Sequence, residues 1–284
     1  MNAQHACRAA RAVARRHGID VPEPRALGVW NNTIVHLAPQ PLVAKVSSLI
    51  RRPSGTVALR TELEIALHLQ RAGAPTIAPS PQVPSEVHRH GDYVLTFWQY
   101  RVHDPAAALH PAAASEALEA VHRALDTYRG ALPSFMLRQV RRAGQLLADS
   151  EALSALPAPD RAYLAAEYAR LTATLAHREL DHRALHGDPH RRNFLAGPGG
   201  CVMIDFESAC SGPVEWDLSG LPEAAADLLA ADAELLGTLR RLRSVCVATW
   251  GWAHRGQAPE IDRAARRHMD RLRQPGPNAC PPAA

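Results

Sequence analysis

The sequence predicts an α+β protein with a small, strand-rich first lobe, residues 1–98, and a larger, mostly helical second lobe, residues 99–284. Three observations carry this prediction. Short apolar and β-branched runs broken by turn residues fill most of the first hundred residues. Beyond them, long segments repeat apolar residues at helical spacing. Within that helical part, two short apolar runs flank the sequence GPGG, a pattern that predicts a β-hairpin.

Four elements are predicted in the first lobe: a hairpin over residues 25–39, a strand over 41–48, a helix over 54–73 and a strand over 92–100. The hairpin turns at Asn31 and Asn32, a turn signal between two runs rich in β-branched residues. The helix carries leucines at helical spacing and ends at Gly73, a residue typical of helix C-termini.

The second lobe is predicted to contain helices over residues 115–132 and 160–180, a hairpin over 193–207 and a mostly helical segment over 222–273. Ser115 is the candidate N-cap of the first of these helices, because a serine hydroxyl can accept a hydrogen bond from an orphan backbone N–H. The proline-rich tail is expected to be frayed.

Composition and charge exclude several classes of protein. The chain has 284 residues, enough to bury a sizeable core, and 46% of them are hydrophobic. No apolar run approaches the ~18 residues that span a bilayer, so an integral membrane protein is excluded. The net charge of +4 comes without a basic stripe interleaved with aromatic residues, so nucleic-acid binding is not favoured. Neither a membrane partner nor an obligate protein partner is inferred.

The N-terminal stretch and the cysteines bear on location. Residues 1–20 are basic throughout and lack an apolar core segment, which argues against a secretory signal. Two interpretations stay open, namely a mitochondrial presequence and an amphipathic first helix whose apolar side carries Cys7, Ala10, Val13 and Ala14. The five cysteines are scattered and form no C-x-x-C pair. They fit reduced thiols, and we predict a cytoplasmic location.

One cationic position stands apart from all others. Lys45, in the predicted strand PLVAKVSS, is the only lysine among the 32 lysine and arginine residues. A chain that uses arginine at every other cationic position would be expected to use it here too. Position 45 therefore has a requirement that arginine does not meet.

The densest polar cluster is HGDPHRRN, residues 186–193, followed by VMIDFE, residues 202–207. Mg²⁺ prefers a few hard oxygen ligands and keeps waters and substrate phosphates for the rest. Asn193 and Asp205 supply two such oxygens from the two arms of the predicted hairpin. Asp188 then remains to orient and deprotonate an attacking hydroxyl. This division of labour is the one described for kinase-type phosphoryl transfer.

The motifs HGDPHRRN, IDFE and GPVEWDL together resemble the aminoglycoside phosphotransferase-like family, the small-molecule branch of the protein-kinase-like fold. The resemblance runs from about Leu27 to Trp252, with the motifs in the expected order. It implies a bilobal protein-kinase-like fold that binds Mg²⁺ with ATP or GTP. It also implies a kinase that transfers the γ-phosphate to a hydroxyl of a small acceptor, with aminoglycosides and other antibiotics or metabolites as candidates.

The resemblance gives the single lysine a role. A lysine on the third strand of this fold reaches the α- and β-phosphates and pairs with a glutamate on the following helix. The slim ammonium stem of Lys45 fits that slot, whereas the wide guanidinium fork of arginine does not. Glu62, 17 residues after Lys45, is the implied partner. Glu64 is the rival, but it lies about 200° around the helix at ~100° per residue.

The same resemblance implies the rest of the site. Asp188 is the implied catalytic residue, and Asn193 and Asp205 are the implied metal ligands. No G-x-G-x-x-G loop is present, so side chains and turn amides of Asn31 and Asn32 are expected to cover the phosphates.

Further roles follow for residues around this centre. The hinge is expected near Thr96 and Trp98, where backbone groups meet the nucleobase. Asp217 is expected to be a buried residue that ties the catalytic loop down through backbone N–H groups, and His186 to brace the same loop. Glu207 has two interpretations, a contact to a second metal or a salt bridge within the hairpin.

The acceptor is expected to be a small molecule, because only 11 residues separate Asp205 from Asp217. A protein kinase places a long activation segment and an A-P-E motif in that interval. Four acidic residues either recognise a polycationic acceptor or form an ordinary solvated helix face: Glu223, Asp227, Asp232 and Glu234.

Two rival functions remain from other classes. One is a metallohydrolase that uses His186, Asp188 and His190 as ligands; it needs further ligands and leaves Lys45 unexplained. The other is a catalytically weak nucleotide-binding pseudokinase that acts as an interaction module, which the reduced phosphate loop suggests.

Overall fold

The structure is a computed structural model that describes residues 3–104, 107–197, 200–229 and 231–274. Contacts along the backbone divide it into two compact units. The first unit contains the described residues of Met1–Gly130 and Asp188–Ala209, and the second those of Ala131–Gly187 and Cys210–Ala284. The predicted α+β class is confirmed. The lobe boundary predicted between residues 98 and 99 stays a prediction.

Strands and helices alternate irregularly along the described chain. The strands are β1 (Arg25–Val29), β2 (Thr33–His36), β3 (Leu42–Ser48), β4 (His88–His90), β5 (Tyr93–Gln99), β6 (Arg183–Leu185), β7 (Phe194–Gly197), β8 (Gly200–Met203) and β9 (Cys210–Gly212). The helices are α1 (Ala3–Arg16), α2 (Gly55–Arg71), α3 (Pro111–Leu125), α4 (Gln139–Ala148), α5 (Ala158–Ala176), α6 (Val214–Leu218), α7 (Glu223–Ala226), α8 (Ala233–Ala253) and α9 (Pro259–Arg273).

The first unit is built on an antiparallel sheet with the strand order β1-β2-β3-β5-β4. The predicted hairpin and both predicted later strands are confirmed as β1, β2, β3 and β5. Strand β4 escapes prediction because three residues are too few to show an alternating pattern. Because residues opposite each other in an antiparallel pair share a face, Lys45 shares its face with Ile34 on one side and Thr96 on the other.

Helix α1 covers the opposite face of this sheet. Its buried side consists of small apolar residues: Ala6, Ala9, Ala10, Val13 and Ala14. Most of them join one apolar core with sheet residues such as Val35, Ala44 and Phe97, and Cys7 packs at the edge of that core. The interpretation of this stretch as an amphipathic first helix is therefore confirmed, and burial against the sheet stabilises a helix that carries many arginines elsewhere.

Helices α2 and α3 confirm two predictions and correct a third. Helix α2 ends as expected before Gly73, whose φ of +70° suits glycine. Helix α3 begins at Pro111, so the prediction of Ser115 as its N-cap is wrong. Proline suits the first turn because its missing N–H has no partner there. Ser115 lies inside the helix and donates its hydroxyl to the carbonyl of Pro111 at 3.0 Å.

The second unit is mostly helical, as predicted, with a two-stranded antiparallel ribbon of β6 and β9. Its core brings together residues from α4, α5, α8 and α9, with Phe135 and Trp216 as the largest buried side chains. Strands β6 and β9 have three residues each. They pair across an interval that contains the predicted hairpin, and so no local pattern reveals them.

Two features of the sequence fall outside the described residues, the central residues 198–199 of the GPGG turn and the proline-rich tail from residue 275 onwards. The strands on both sides of that turn, β7 and β8, confirm the hairpin. Across the described ranges, no helix has the length and apolar character to cross a bilayer.

Candidate active site

Lys45 lies on β3 with its side chain almost fully buried, only 7% exposed. Its ammonium Nζ donates to both carboxylate oxygens of Glu62 on α2, at 2.9 and 2.8 Å. The helix phase decides this choice, because Glu62 is buried on the side of α2 that packs inward, whereas Glu64 is exposed. The implied pairing of the single lysine with Glu62 is therefore present in the structure.

Two further carboxylates approach the same ammonium. Lys45 Nζ lies 2.9 Å from Asp205 Oδ1 and 2.9 Å from Glu207 Oε1. Oxygens of Glu62, Asp205 and Glu207 all lie within 4.8 Å of one another. Like charges at this separation are stable together only with a shared cation, and Lys45 supplies it.

The close approach of these charges shifts the pKa values of Lys45 and Glu62. Burial lowers the pKa of Lys45, but the charges of Asp205, Glu62 and Glu207 oppose burial and hold it well above its usual range. Burial raises the pKa of Glu62 to about 8, because the lowering by Lys45 is countered by the two other carboxylates. Glu62 therefore retains a proton more readily than an exposed glutamate, and Lys45 remains the cation that Asp205 and Glu207 share.

Asp205 has an unusual backbone. It follows β8 and has a left-handed conformation with φ of 69°, the only non-glycine residue with positive φ among the described residues. Aspartate tolerates this region better than most residues, and such conformations concentrate at functional sites. The conformation allows the Asp205 carboxylate to meet Lys45 while the next residue, Phe206, is buried in the protein.

The loop before β7 links Asp188 to Asn193. The side-chain Nδ2 of Asn193 donates to the carbonyl of Asp188 at 2.8 Å, which assigns the amide orientation and presents Oδ1 as the remaining acceptor. The carbonyl of Asn193 in turn accepts the N–H of Ile204 at 3.0 Å, directly before Asp205. Both predicted metal ligands thus sit side by side on the two arms of the hairpin, with oxygen donors of the type that Mg²⁺ prefers.

His190 neighbours Asp188 on the same loop. Its Nδ1 accepts the N–H of Arg192 at 3.2 Å, so in the neutral ring the proton sits on Nε2. That nitrogen lies 3.8 Å from Asp188 Oδ2. His190 thus lies beside the Asp188 carboxylate at a distance beyond hydrogen-bond range.

The β1–β2 turn brings one of its two asparagines to the centre. Asn32 is buried, and its Nδ2 donates to Glu207 Oε1 at 2.5 Å. Asn31 is exposed at the tip of the turn. Glu207 also accepts a hydrogen bond from the guanidinium of Arg52. These contacts of Glu207 reach the sheet and the β3–α2 connection, and both interpretations of Glu207, a contact to a second metal and a salt bridge within the hairpin, stay predictions.

Thr96 and Trp98 lie inside β5, opposite Lys45 and Val43 in register. The indole N–H of Trp98 donates to Thr96 Oγ1 at 2.9 Å, and the ring packs with Leu63 of α2. Both side chains thus belong to the packing of the sheet against α2. The assignment of the nucleobase contact to their neighbourhood stays a prediction.

In the second unit, Asp217 is fully buried and accepts two backbone hydrogen bonds, from the N–H of His186 at 2.9 Å and of Gly187 at 2.7 Å. Arg243 of α8 donates to the carbonyl of Gly187 at 3.3 Å, and its guanidinium lies 4.0 Å from the centroid of the Trp216 ring. These contacts hold the backbone immediately before Asp188 in the chain, as expected for Asp217.

Sequence reasoning missed Arg52 and Arg243. Arg52 meets a partner 155 residues away in the chain, and Arg243 meets Gly187 at a separation of 56 residues. In a chain with so many arginines, neither stands out by residue type. The one available signal is the position of Arg52, four residues beyond the end of β3.

The sequence profile of the phosphotransferase enzyme family, APH, matches residues 27–273. No curated protein matches the chain significantly. Solved structures show the same fold at low sequence identity. An amicoumacin kinase, hAmiN, in complex with AMP-PNP, Ca²⁺ and Ami has a TM-score of 0.69 and 13% identity, covering 96% of each chain.

Two further structures are similar over most of their length. The choline kinase LicA from Streptococcus pneumoniae has a TM-score of 0.64 and 14% identity, covering 93% of this chain and 97% of its own. Spectinomycin phosphotransferase, APH(9)-Ia, solved with ADP and spectinomycin, has a TM-score of 0.64 and 12% identity, covering 94% of this chain and 95% of its own. The predicted kinase-like fold is thus confirmed, and the chain belongs to the phosphotransferase enzyme family, whose members are small-molecule kinases.

Proposed function

We propose that this protein transfers the γ-phosphate of ATP or GTP to a hydroxyl group of a small acceptor molecule. One observation carries the proposal. The single lysine is buried and bound at once to Glu62 and Asp205, while Asn193, directly before β7, is bound to the backbone of Asp188. Lysine, metal-ligand pair and candidate base are thus all supplied by the first unit, as kinase-type transfer requires.

Lys45 binds the α- and β-phosphates in this proposal. The surrounding carboxylates hold the pKa of Lys45 well above its usual range, so the side chain is cationic at neutral pH, and Glu62 fixes the direction of its stem. Mg²⁺ would be held by Asp205 and Asn193, where it would neutralise charge on the phosphates. The fit rests on the donor set, one carboxylate and one amide Oδ1, both of them hard oxygens.

Asp188 acts as the catalytic residue. It orients the acceptor hydroxyl so that its oxygen attacks the γ-phosphorus in line with the bridging oxygen of the leaving nucleoside diphosphate. The bond from the γ-phosphorus to that bridging oxygen breaks, and the hydroxyl proton passes to the Asp188 carboxylate.

The acceptor is a small hydroxyl-bearing molecule. The interval of 11 residues between Asp205 and Asp217 contains a 3-10 turn, strand β9 and the start of α6, so it offers no platform for a peptide. The three similar structures are named for amicoumacin, choline and spectinomycin, all small molecules. This range supports an antibiotic or amino-alcohol acceptor more than a macromolecule.

An aminoglycoside acceptor gains no particular support from the acidic residues near α8. Asp232 caps α8 through the N–H of Leu235 at 2.9 Å and pairs with Arg178. Asp227 lies 3.6 Å from Arg240. These carboxylates thus have structural partners, as an ordinary solvated face would.

Apart from the reduced phosphate loop, no observation favours the pseudokinase alternative: Asp188, Asn193 and Asp205 are all present, Asn193 donates to the carbonyl of Asp188, and Asp205 accepts from Lys45. We place the protein in the cytoplasm, a proposal supported by the free thiols of the described cysteines: Cys7, Cys201, Cys210 and Cys246.

The test is transfer of labelled γ-phosphate from ATP and from GTP, with Mg²⁺, to a panel of aminoglycosides, other antibiotics, amino alcohols and sugars. Lys45→Arg is assayed beside the wild type, and Arg51→Lys, an exposed position six residues away, serves as the reverse control. We expect transfer to one acceptor class, reduced at least about 100-fold in Lys45→Arg and unchanged in Arg51→Lys. A wild-type protein that bound neither nucleotide would contradict the proposal.

A further inference from the structure

Glu207 receives three donors from three different segments. Asn32 of the β1–β2 turn donates through Nδ2 at 2.5 Å, and the Lys45 ammonium of β3 lies 2.9 Å away. Arg52 of the β3–α2 connection donates from its guanidinium to the other carboxylate oxygen. Asn32, Lys45 and Arg52 form what we call the three-donor site.

The three-donor site has the chemistry of a site for an anion. It offers one amide N–H and two cations to a single planar oxyanion, and both Lys45 and Asn32 are more than nine-tenths buried. Arg52 has a side chain that is 27% exposed, so its guanidinium fork can approach a ligand from solvent. Arginine binds phosphate and carboxylate in the same way, through two parallel N–H groups.

Two of the three donors already have a role in the proposed function. Lys45 and Asn32 are the residues proposed to hold the phosphates of the nucleotide, and the carboxylate of Glu207 now occupies both. A carboxylate and a phosphate carry equivalent oxygen acceptors. Arg52, the third group around the Glu207 carboxylate, therefore meets the same kind of ligand, an oxyanion.

We propose that Arg52 is a phosphate-binding residue of the nucleotide site, and that the Glu207 carboxylate stands in for a phosphate in the nucleotide-free protein. This inference rests on the proposed function. On binding, the polyphosphate displaces Glu207 from Asn32, Lys45 and Arg52. Arg52 thereby recognises the charged part of the nucleotide, and the nucleoside part is bound without it.

The geometry predicts that two variants change ATP affinity in opposite directions. Arg52→Ala removes a donor to the phosphate, so ATP binds more weakly. Glu207→Gln removes the competing charge, so ATP binds more tightly in the absence of divalent metal. If Arg52 served only to neutralise Glu207, Arg52→Ala introduced into the Glu207→Gln variant would leave ATP affinity unchanged, whereas a phosphate-binding Arg52 contributes in that background too.

The experiment measures the dissociation constants of ATP and adenosine by calorimetry, with EDTA, for the full chain and for each variant. The corresponding guanine pair is used if GTP is the donor. We expect Arg52→Ala to weaken ATP binding about tenfold and to leave adenosine binding unchanged. Glu207→Gln is expected to tighten ATP binding several-fold. Arg51→Ala, at the exposed neighbouring position, is the matched control and should bind both ligands as the wild type does.

The outcomes separate this inference from the function on which it rests. Wild-type ATP binding together with unchanged ATP affinity in Arg52→Ala overturns the inference alone, as does a Glu207→Gln variant that binds ATP more weakly. A wild type that binds neither ligand overturns the proposed function and the inference with it. Arg52→Lys, which keeps the charge and loses the fork, replaces Arg52→Ala if thermal unfolding shows that the alanine variant is not folded, and it is expected to bind ATP with intermediate affinity.

Discussion

Each unit contains a buried cationic side chain, and the two charges are stabilised by different kinds of partner. Lys45 is bound by side chains, the carboxylates of Glu62, Asp205 and Glu207. Arg243 also binds the main chain: it donates to the carbonyls of Gly187 at 3.3 Å and Trp216 at 2.6 Å, besides the side-chain oxygens of Ser219 at 2.7 Å and Gln139 at 3.3 Å.

The kind of partner determines how easily each region can rearrange when a ligand binds. Side chains that bind one another can exchange partners when a ligand arrives, at little cost to the backbone. Side chains that bind backbone groups fix the path of the chain, and their loss leaves buried N–H or C=O groups without partners. The Lys45 centre is therefore suited to ligand binding, and the Asp217–Arg243 region is suited to holding the catalytic loop.

The largest expected effect comes from Lys45→Met. This change leaves three clustered carboxylates without their shared ammonium, and it should reduce the free energy of unfolding by about 3 kcal/mol at pH 8.5. The loss should be smaller at pH 5.5, where Glu62 can take up a proton in the folded protein. Urea unfolding at both pH values measures this. An equal loss at the two pH values would show that the carboxylates do not drive the effect.

Asp217→Ala is expected to have the next largest effect. It removes the acceptor of two buried N–H groups, at His186 and Gly187, and should cost about 2–3 kcal/mol of unfolding free energy. In contrast to Lys45→Met, the loss should be the same at pH 5.5 and 8.5, because no cluster of like charges is left behind. Asp227→Ala, whose side chain is 67% exposed, is the control and should change stability by less than about 0.5 kcal/mol. A loss of unfolding free energy in Asp217→Ala that depends on pH would contradict this difference between the two regions.

The last prediction concerns how the free energy of unfolding of the wild type depends on pH. Because the pKa of Glu62 is about 8 in the folded protein and near 4.5 when exposed, the folded state binds more protons between these values. Stability should therefore fall as pH rises from about 5 to 8, and the raised pKa of Lys45 adds a further loss only at higher pH. Glu62→Gln should flatten this slope by about 1 kcal/mol per pH unit. Glu64→Gln, at an exposed position on the same helix, should leave the slope as it is, and an unchanged slope in Glu62→Gln would argue against the raised pKa.

Much of the first unit could be predicted from the sequence, because its elements carry local signals. The turn at Asn31 and Asn32, the strand around Lys45 and the helix that ends before Gly73 each depend on neighbours in the chain. The phase of that helix indicated that Glu62 and Glu64 cannot both serve, and the resemblance to the family selected Glu62. The three-residue strands β4, β6 and β9 could not be predicted, because only their pairing with other strands in the fold defines them.

The candidate site shows the same limit. Lys45, Asp188, Asn193 and Asp205 could be picked out because each stands in a distinctive local sequence. The partners of Glu207 could not, since they lie more than 150 residues away in the chain. Ser115 shows how a local signal misleads, because the proline at position 111 offers an earlier start to the same helix.

The central claim is that Asp188 performs the chemical step while the Lys45 centre binds the nucleotide. The most direct measurement compares Asp188→Ala with the wild type in phosphate transfer to the acceptor found in the panel, and in ATP affinity by calorimetry. The account predicts that transfer falls at least about 1,000-fold while ATP affinity changes less than about twofold. Turnover in Asp188→Ala within about tenfold of the wild type would contradict the assignment of Asp188 as the catalytic residue.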